Sequence, residues 1–211
     1  MLPLTPTLSS ARFFPSRKHI ALLGIVFLAL TLFAFGPSLF GEFVFWDDDL
    51  LVFENPVVQV MTPWTLGKIF TMYDPELYIP LTFFTYQINY LIGGMSPFVY
   101  HLTNIVLNAG NALLVTGIAY LLLKRNRTAA LLTGLLFAVH PLHTEAVAWI
   151  SARKDILSAF FFLIATLLFL LHEEHPTRKR YTGMLIAFLC ALLSKVIAVT
   201  FPVVMLVILL V

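Results

Sequence analysis

Long apolar runs broken by short polar turns set the pattern of this chain. The first, Ile20 to Phe40, holds 21 residues without a charge, enough for one helix to cross a hydrocarbon core of about 30 Å. Arg12, Arg17 and Lys18 precede it. It is too long for a signal-peptide core and no small-residue cleavage site follows, so it reads as an uncleaved span. A polar loop runs from Gly41 to Pro80 and contains Trp46-Asp47-Asp48-Asp49, Glu54, Asp74 and Glu76. Further spans are predicted over Ile105 to Leu123, from Thr128 onward, over Ile156 to Leu171, and in two runs flanking Lys195. Leu81 to Ile92 is apolar but short and carries Gln87 and Asn89, which suits a helix lying at the interface. The pattern predicts an all-α polytopic bundle of about six transmembrane helices, some short or broken. A cytoplasmic segment (1–19) precedes it, and a large first outer loop (41–80) carries interfacial helices.

Composition agrees with this reading. Hydrophobic residues make up 60% of the chain and charged ones 11%, and the mean hydropathy of +0.92 exceeds what a soluble domain of this length can bury. The single cysteine, Cys190, excludes an internal disulfide. With the N-terminus inside, the inner pieces hold Arg12, Arg17, Lys18, Lys124, Arg125, Arg127, Arg178, Lys179 and Arg180. The outer pieces hold Lys68, Arg153, Lys154 and Lys195, and nine of the eleven acids. That asymmetry follows the positive-inside rule, and it makes the extracytoplasmic or lumenal face the acidic, working one.

Ionisable residues concentrate in Phe137 to Asp155, FAVHPLHTEAVAWISARKD. Charges next to hydrocarbon are costly unless they face a bundle interior or a wet cavity, so this cluster is a candidate functional site. Helix length places it in depth. Only 12 residues separate Thr128 from His140, and 13 separate Thr182 from Lys195, which at 1.5 Å per residue is roughly 18–20 Å. His140 and Lys195 are therefore expected below the outer surface. His101, Asn104, Asn108 and Asn111 recur at i, i+3, i+7 and i+10, inside an arc of about 80°, and occupy the same outer half. Three helices thus offer polar groups at one depth under an acidic loop, which predicts a recessed cavity open to the outside. Each feature also has a structural alternative. The asparagines could serve interhelical hydrogen bonds alone, His140 could bond carbonyls freed by Pro141, and Arg153 and Lys154 could be snorkelling anchors.

Four segments together carry a family resemblance: FVFWDDDLLVFENP, YIPLTFFTYQINYLIGGMSPFVYHLTNIVLNAGNALL, LLFAVHPLHTEAVAWISARKDILSAFFFL and LLSKVIAVTFP. From about Phe43 to Pro202 the chain resembles the membrane domain of the tetratricopeptide-repeat-linked O-mannosyltransferases and their prokaryotic relatives, which are C-type glycosyltransferases. The resemblance implies transfer of mannose or a similar hexose from a polyprenyl-phosphate carrier to an acceptor hydroxyl, most readily of protein Ser or Thr. It implies Asp47 and Asp48 as the acidic pair, one of them the general base. Arg153, Lys154 and Lys195 would then face the departing phosphate, with His140 and His143 as donors beside it. Glu145 and Asp155 would hold those cations, and His101, Asn104 and Asn108 would support the wall. A divalent cation is a candidate cofactor, with Asp47 and Asp49 its candidate ligands. His140, His143 and Glu145 lack the spacing and cysteine partner of a zinc site.

The expected partners are the lipid-linked sugar, a protein or glycan acceptor and membrane lipid, but not nucleic acid. A prokaryotic cytoplasmic membrane is the expected location ahead of the endoplasmic reticulum. The family's membrane domain continues through further spans into tetratricopeptide repeats. No 34-residue repeat occurs here and Val211 ends inside an apolar run, so the chain reads as a partial domain, truncated at its C-terminus. The alternative class is a non-catalytic scaffold or transporter-like subunit built on the same bundle.

Overall fold

A computed structural model describes residues 17–73 and 77–210. Arg12, Asp74 and Glu76, which entered the charge argument, lie outside the described residues, as does the side chain of Arg17. Among the described residues every regular element is helical: α1 (Arg17–Phe35), α2 (Pro63–Ile69), α3 (Pro80–Gly93), α4 (Pro97–Leu122), α5 (Arg127–Ala138), α6 (Thr144–Ala148), α7 (Arg153–Glu174), α8 (Arg178–Ser194) and α9 (Phe201–Leu210), with short tight turns between them. Three helical stretches among the described residues are long and apolar enough to cross a membrane: Lys18–Phe40, Pro97–Leu122 and Arg153–Glu174. A fourth is reached if α5 and Pro141–Ala148, bent by 45°, count as one broken span. The expected total of about six is met only by adding the 17-residue α8 and the shorter apolar stretch Val196–Leu210.

The packing partners fix which helix ends lie together. Phe27 of α1 packs with Ala109 and Ala112 of α4, and Phe35 packs with Ile105, so α1 and α4 run antiparallel. Along α4 and α7, Asn111 meets Ile156, and Gly110 and Gly117 face Phe160 and Leu167, so these two run parallel. Helix α8 returns antiparallel to α7, joined by Ser158 Oγ donating to the Ala191 carbonyl at 3.1 Å. Lys18, Lys124, Arg125, Arg127, Arg178, Lys179 and Arg180 thereby gather at one end of the bundle. Arg125 bridges to Glu174 there at 3.4 Å. The acidic loop and the starts of α6 and α7 gather at the other end.

Local chemistry explains the helix limits. Asn126 caps α5 by accepting from Ala129 N at 3.1 Å, and Thr177 caps α8 by accepting from Arg180 N at 3.3 Å. Arg180 Nη1 in turn donates to the carbonyls of Leu171 and His175 at 2.6 and 2.7 Å, satisfying the frayed end of α7. Gly134 lets α5 approach α4, because a Cβ there would lie 1.9 Å from Thr116 Oγ1. Helix α5 stops after 12 residues. Pro141, three residues on, lacks a donor and cannot continue the ladder, so the chain turns through Pro141–His143 into α6.

The acidic loop after α1 is folded, not merely solvated. Leu51, Val52, Val57, Val58 and Ile69 form a buried cluster with Ile79, Phe83, Tyr86, Tyr100 and Ile150. Helix α2 opens with a capping box in which Thr62 and Thr65 exchange side chain-to-backbone bonds. Helix α3 packs into this cluster with Thr82, Gln87 and Asn89 buried. At 14 residues it spans about 21 Å and falls short of the hydrocarbon core, as the sequence predicts. Its polar side chains nevertheless face protein: Gln87 Nε2 donates to the Val57 carbonyl at 2.8 Å.

Candidate active site

The break after α5 leaves backbone carbonyls without helical partners. The asparagine stripe on α4 satisfies them. Asn108 Nδ2 donates to the Ala138 carbonyl at 3.3 Å. Asn104 Nδ2 donates to those of Val147 and Trp149 at 3.3 and 3.1 Å, and Asn111 Nδ2 to that of Ile156 at 3.1 Å. His101 is buried beside Gly41, Ala148 and Asp48. All four predicted stripe residues therefore face protein: Asn104 holds the returning segment Val139–Ser151 against α4, while Asn108 and Asn111 tie α4 to the end of α5 and the start of α7. Such bonds are what the structural alternative for the stripe requires.

The first three residues of α7 point to three different partners, as a rotation of about 100° per residue requires. Arg153 is 0% exposed. Its Nε donates to Asn104 Oδ1 at 2.8 Å, its Nη1 to Asn89 Oδ1 and its Nη2 to the Tyr100 carbonyl at 2.6 Å. The guanidinium lies 4.8 Å from the Tyr86 ring centre, a cation–π contact. Lys154 turns the other way, with Nζ 3.3 Å from Asp47 Oδ2 and 5.5 Å from the Trp149 ring centre. Asp155 accepts from Lys195 Nζ, which ties the start of α7 to the end of α8.

The neighbouring acids divide in the same way. Asp48 is 0% exposed; Oδ1 accepts from Ser151 N at 2.9 Å and from Ser151 Oγ, and Oδ2 accepts from Val44 N at 2.9 Å. It pins the first loop to the turn before α7 across 103 residues of sequence. The Asp47 side chain remains 36% exposed. Asp49 is partly buried and accepts from the next backbone N–H, Leu50, at 2.9 Å.

The structure thus brings Asp47, Lys154, Asp155 and Lys195 to one end in two ion pairs, with Asp48 and Arg153 immediately behind them. Arg153, expected to face a phosphate, is buried, and three of its nitrogens donate to protein oxygens. His140 and His143 stand apart at the helix break. His140 Nδ1 accepts from Leu142 N at 3.3 Å, and His143 Nδ1 lies 2.9 Å from the Phe137 carbonyl. Their rings are 5.7 Å apart, and no bond joins them to Asp47 or Lys154 among the described residues. Glu145 is exposed and forms no ion pair among the described residues, whereas Asp155 does hold a cation. For a divalent ion, Asp47 and Asp49 gain no third ligand. Among the described residues no three His, Cys, Asp or Glu side chains converge. An open cavity of about 420 Å³ lined by His172, Arg178 and Tyr181 lies at the basic end, away from these residues.

Several participants escaped the sequence reading. Ser151, Asn89, Tyr86, Tyr100 and Trp149 all contact the key charges. Asn89, a lone amide in an apolar run, carried a usable signal, since such groups near hydrocarbon pair with something. Tyr86 donates its hydroxyl to the Ile150 carbonyl at 3.0 Å; burial pushes this phenol up, so it stays protonated as a donor.

Comparison with known proteins adds an independent observation. The chain is similar to protein O-mannosyl-transferases. It is 39% identical over 143 residues to human Protein O-mannosyl-transferase TMTC1, covering 63% of this chain and 16% of that protein. Human TMTC4 is 35% identical over 161 residues, covering 66% of this chain and 22% of the relative. Human TMTC2 is 34% identical over 156 residues, covering 70% and 18%. The chain therefore spans less than a quarter of the length of these relatives. No protein-family model matches the chain, and no solved structure does. Relatives from human, mouse, fly and frog lend no support to the expected prokaryotic location.

Proposed function

We propose that this chain is part of a membrane glycosyltransferase of the protein O-mannosyl-transferase kind. It moves mannose or a similar hexose from a polyprenyl-phosphate carrier to a protein Ser or Thr hydroxyl on the extracytoplasmic or lumenal face. The observation that carries this reading is the Asp47–Lys154 pair at 3.3 Å. Residues 107 positions apart put a solvent-reachable carboxylate beside an ammonium, and the relatives are named protein O-mannosyl-transferases.

In this reading Asp47 accepts the proton of the acceptor hydroxyl while that oxygen attacks the anomeric carbon of the sugar. The bond from that carbon to the phosphate oxygen breaks, and its electron pair leaves with the phosphate. Lys154 and Lys195 stabilise the charge gathering there. Asp48 and Arg153 act behind them by fixing the loop and the helix start. The basic end, with Lys18, Lys124, Arg127 and Arg178, faces the cytoplasm.

The test uses membranes carrying the protein, polyprenyl-phosphate-[3H]mannose and a Ser/Thr-rich acceptor. Transfer is expected with the native protein and is expected to fall at least 100-fold, the scale of a lost general base, in Asp47→Asn. Undiminished transfer in that variant would contradict the assignment.

A further inference from the structure

Among the described residues Lys154 has one counter-charge, Asp47, and the contact is a loose one. At 3.3 Å it is longer than the roughly 2.7–2.9 Å of a strong charge-assisted bond. The two partners are also unequally reachable, since the Lys154 side chain is 10% exposed and that of Asp47 36%. Asp47 is thus the exposed partner of a largely buried ammonium, and an anion that binds Lys154 does so beside Asp47 or in its place.

Three further features ask for an anion at this spot. Arg153, the preceding residue, directs its nitrogens at neutral oxygens of Asn89, Asn104 and Tyr100. Both cations sit in the first turn of the 22-residue α7, the helix end whose dipole favours negative charge. Trp149, whose ring Lys154 approaches, has its Nε1–H buried without an acceptor. A buried unpaired donor is uncommon enough to require an explanation, and a phosphate oxygen would supply the missing acceptor.

We infer that Lys154 exchanges partners during the reaction. It covers Asp47 in the resting protein and passes to the phosphate of the incoming polyprenyl-phosphate sugar, so that donor binding uncovers the base. This rests on the reading of the site as a lipid-phosphate-dependent transferase. Its consequence is an order: donor first, acceptor deprotonation second. Before the donor arrives Asp47 is engaged and spares the acceptor hydroxyl.

A zero-length carbodiimide crosslink reports the resting pair directly, because it joins a carboxylate to an amine only in contact. In the detergent-purified protein, mass spectrometry should find an amide between the peptides containing Asp47 and Lys154. Saturating polyprenyl phosphate should suppress it severalfold, and the same lipid as a free alcohol should leave it intact. Binding of radiolabelled polyprenyl phosphate is measured on the same sample. Binding with an unchanged crosslink overturns the exchange, as does absence of the crosslink from the resting protein. Failure of the phosphate to bind at all overturns the transferase reading beneath it, a separate result.

Discussion

Asp48 and Arg153 are 0% exposed and held by several partners, while one residue away Asp47 stays partly exposed and covers Lys154, which is buried but for its contact with that carboxylate. The two pairs have the same chemical types and lie in the same two segments, yet their surroundings give them different work. The inner pair shares its charge with many fixed partners: Asp48 accepts from Val44 and Ser151, and Arg153 donates to Asn89, Asn104 and Tyr100. Buried charge is tolerable only when it is fully hydrogen-bonded in this way, and once bonded it becomes structural. The outer pair has one loose contact and can change it. The lesson is that a charge motif is read residue by residue, because a helix step of 100° or a single turn of loop separates a scaffold from a working group.

Substitution should separate the pairs, with the largest effect at Arg153. Arg153→Ala leaves two amide oxygens and one carbonyl without donors in a packed interior, each at about 1–3 kcal/mol. The total expected is about 3–5 kcal/mol, read as a lower unfolding midpoint in detergent and poor membrane yield. Asp48→Asn comes next, at about 2 kcal/mol, because a carboxamide must turn a donor toward the N–H of either Ser151 or Val44. Asn108→Ala removes one interhelical bond and should cost about 0.6 kcal/mol, the typical value inside membrane bundles. Lys195→Met breaks a half-exposed pair and should change stability by less than about 1 kcal/mol. A large loss there would mean that the outer ion pairs are structural too, and the comparison would collapse.

The parts of this arrangement that the sequence makes legible are those governed by periodicity and length. The spacing of His101, Asn104, Asn108 and Asn111 places them on one face, and all four are buried. Pro141 and Lys195 mark where α5 and α8 end, because a missing donor and a charge both halt an apolar helix. The gathering of basic residues at one end follows from the alternation of helices. The partners were not legible. Which of Asp47 and Asp48 is buried depends on Ser151, 103 residues later, and which of Arg153 and Lys154 turns inward depends on Asn89 and Asn104. Long-range contacts of that kind leave no local pattern. The folded core of the first loop was hidden for the same reason, since Leu51, Val52 and Val58 find their neighbours on α3 and α4.

The most direct measurement is the unfolding midpoint of Asp48→Asn set against that of Asp47→Asn in the same detergent. A clear drop is expected for Asp48→Asn, and a midpoint within about 1 kcal/mol of native for Asp47→Asn, whose own side chain is partly exposed. Equal losses in both, or the greater loss in Asp47→Asn, would contradict the division between an inner clasp and an outer working pair.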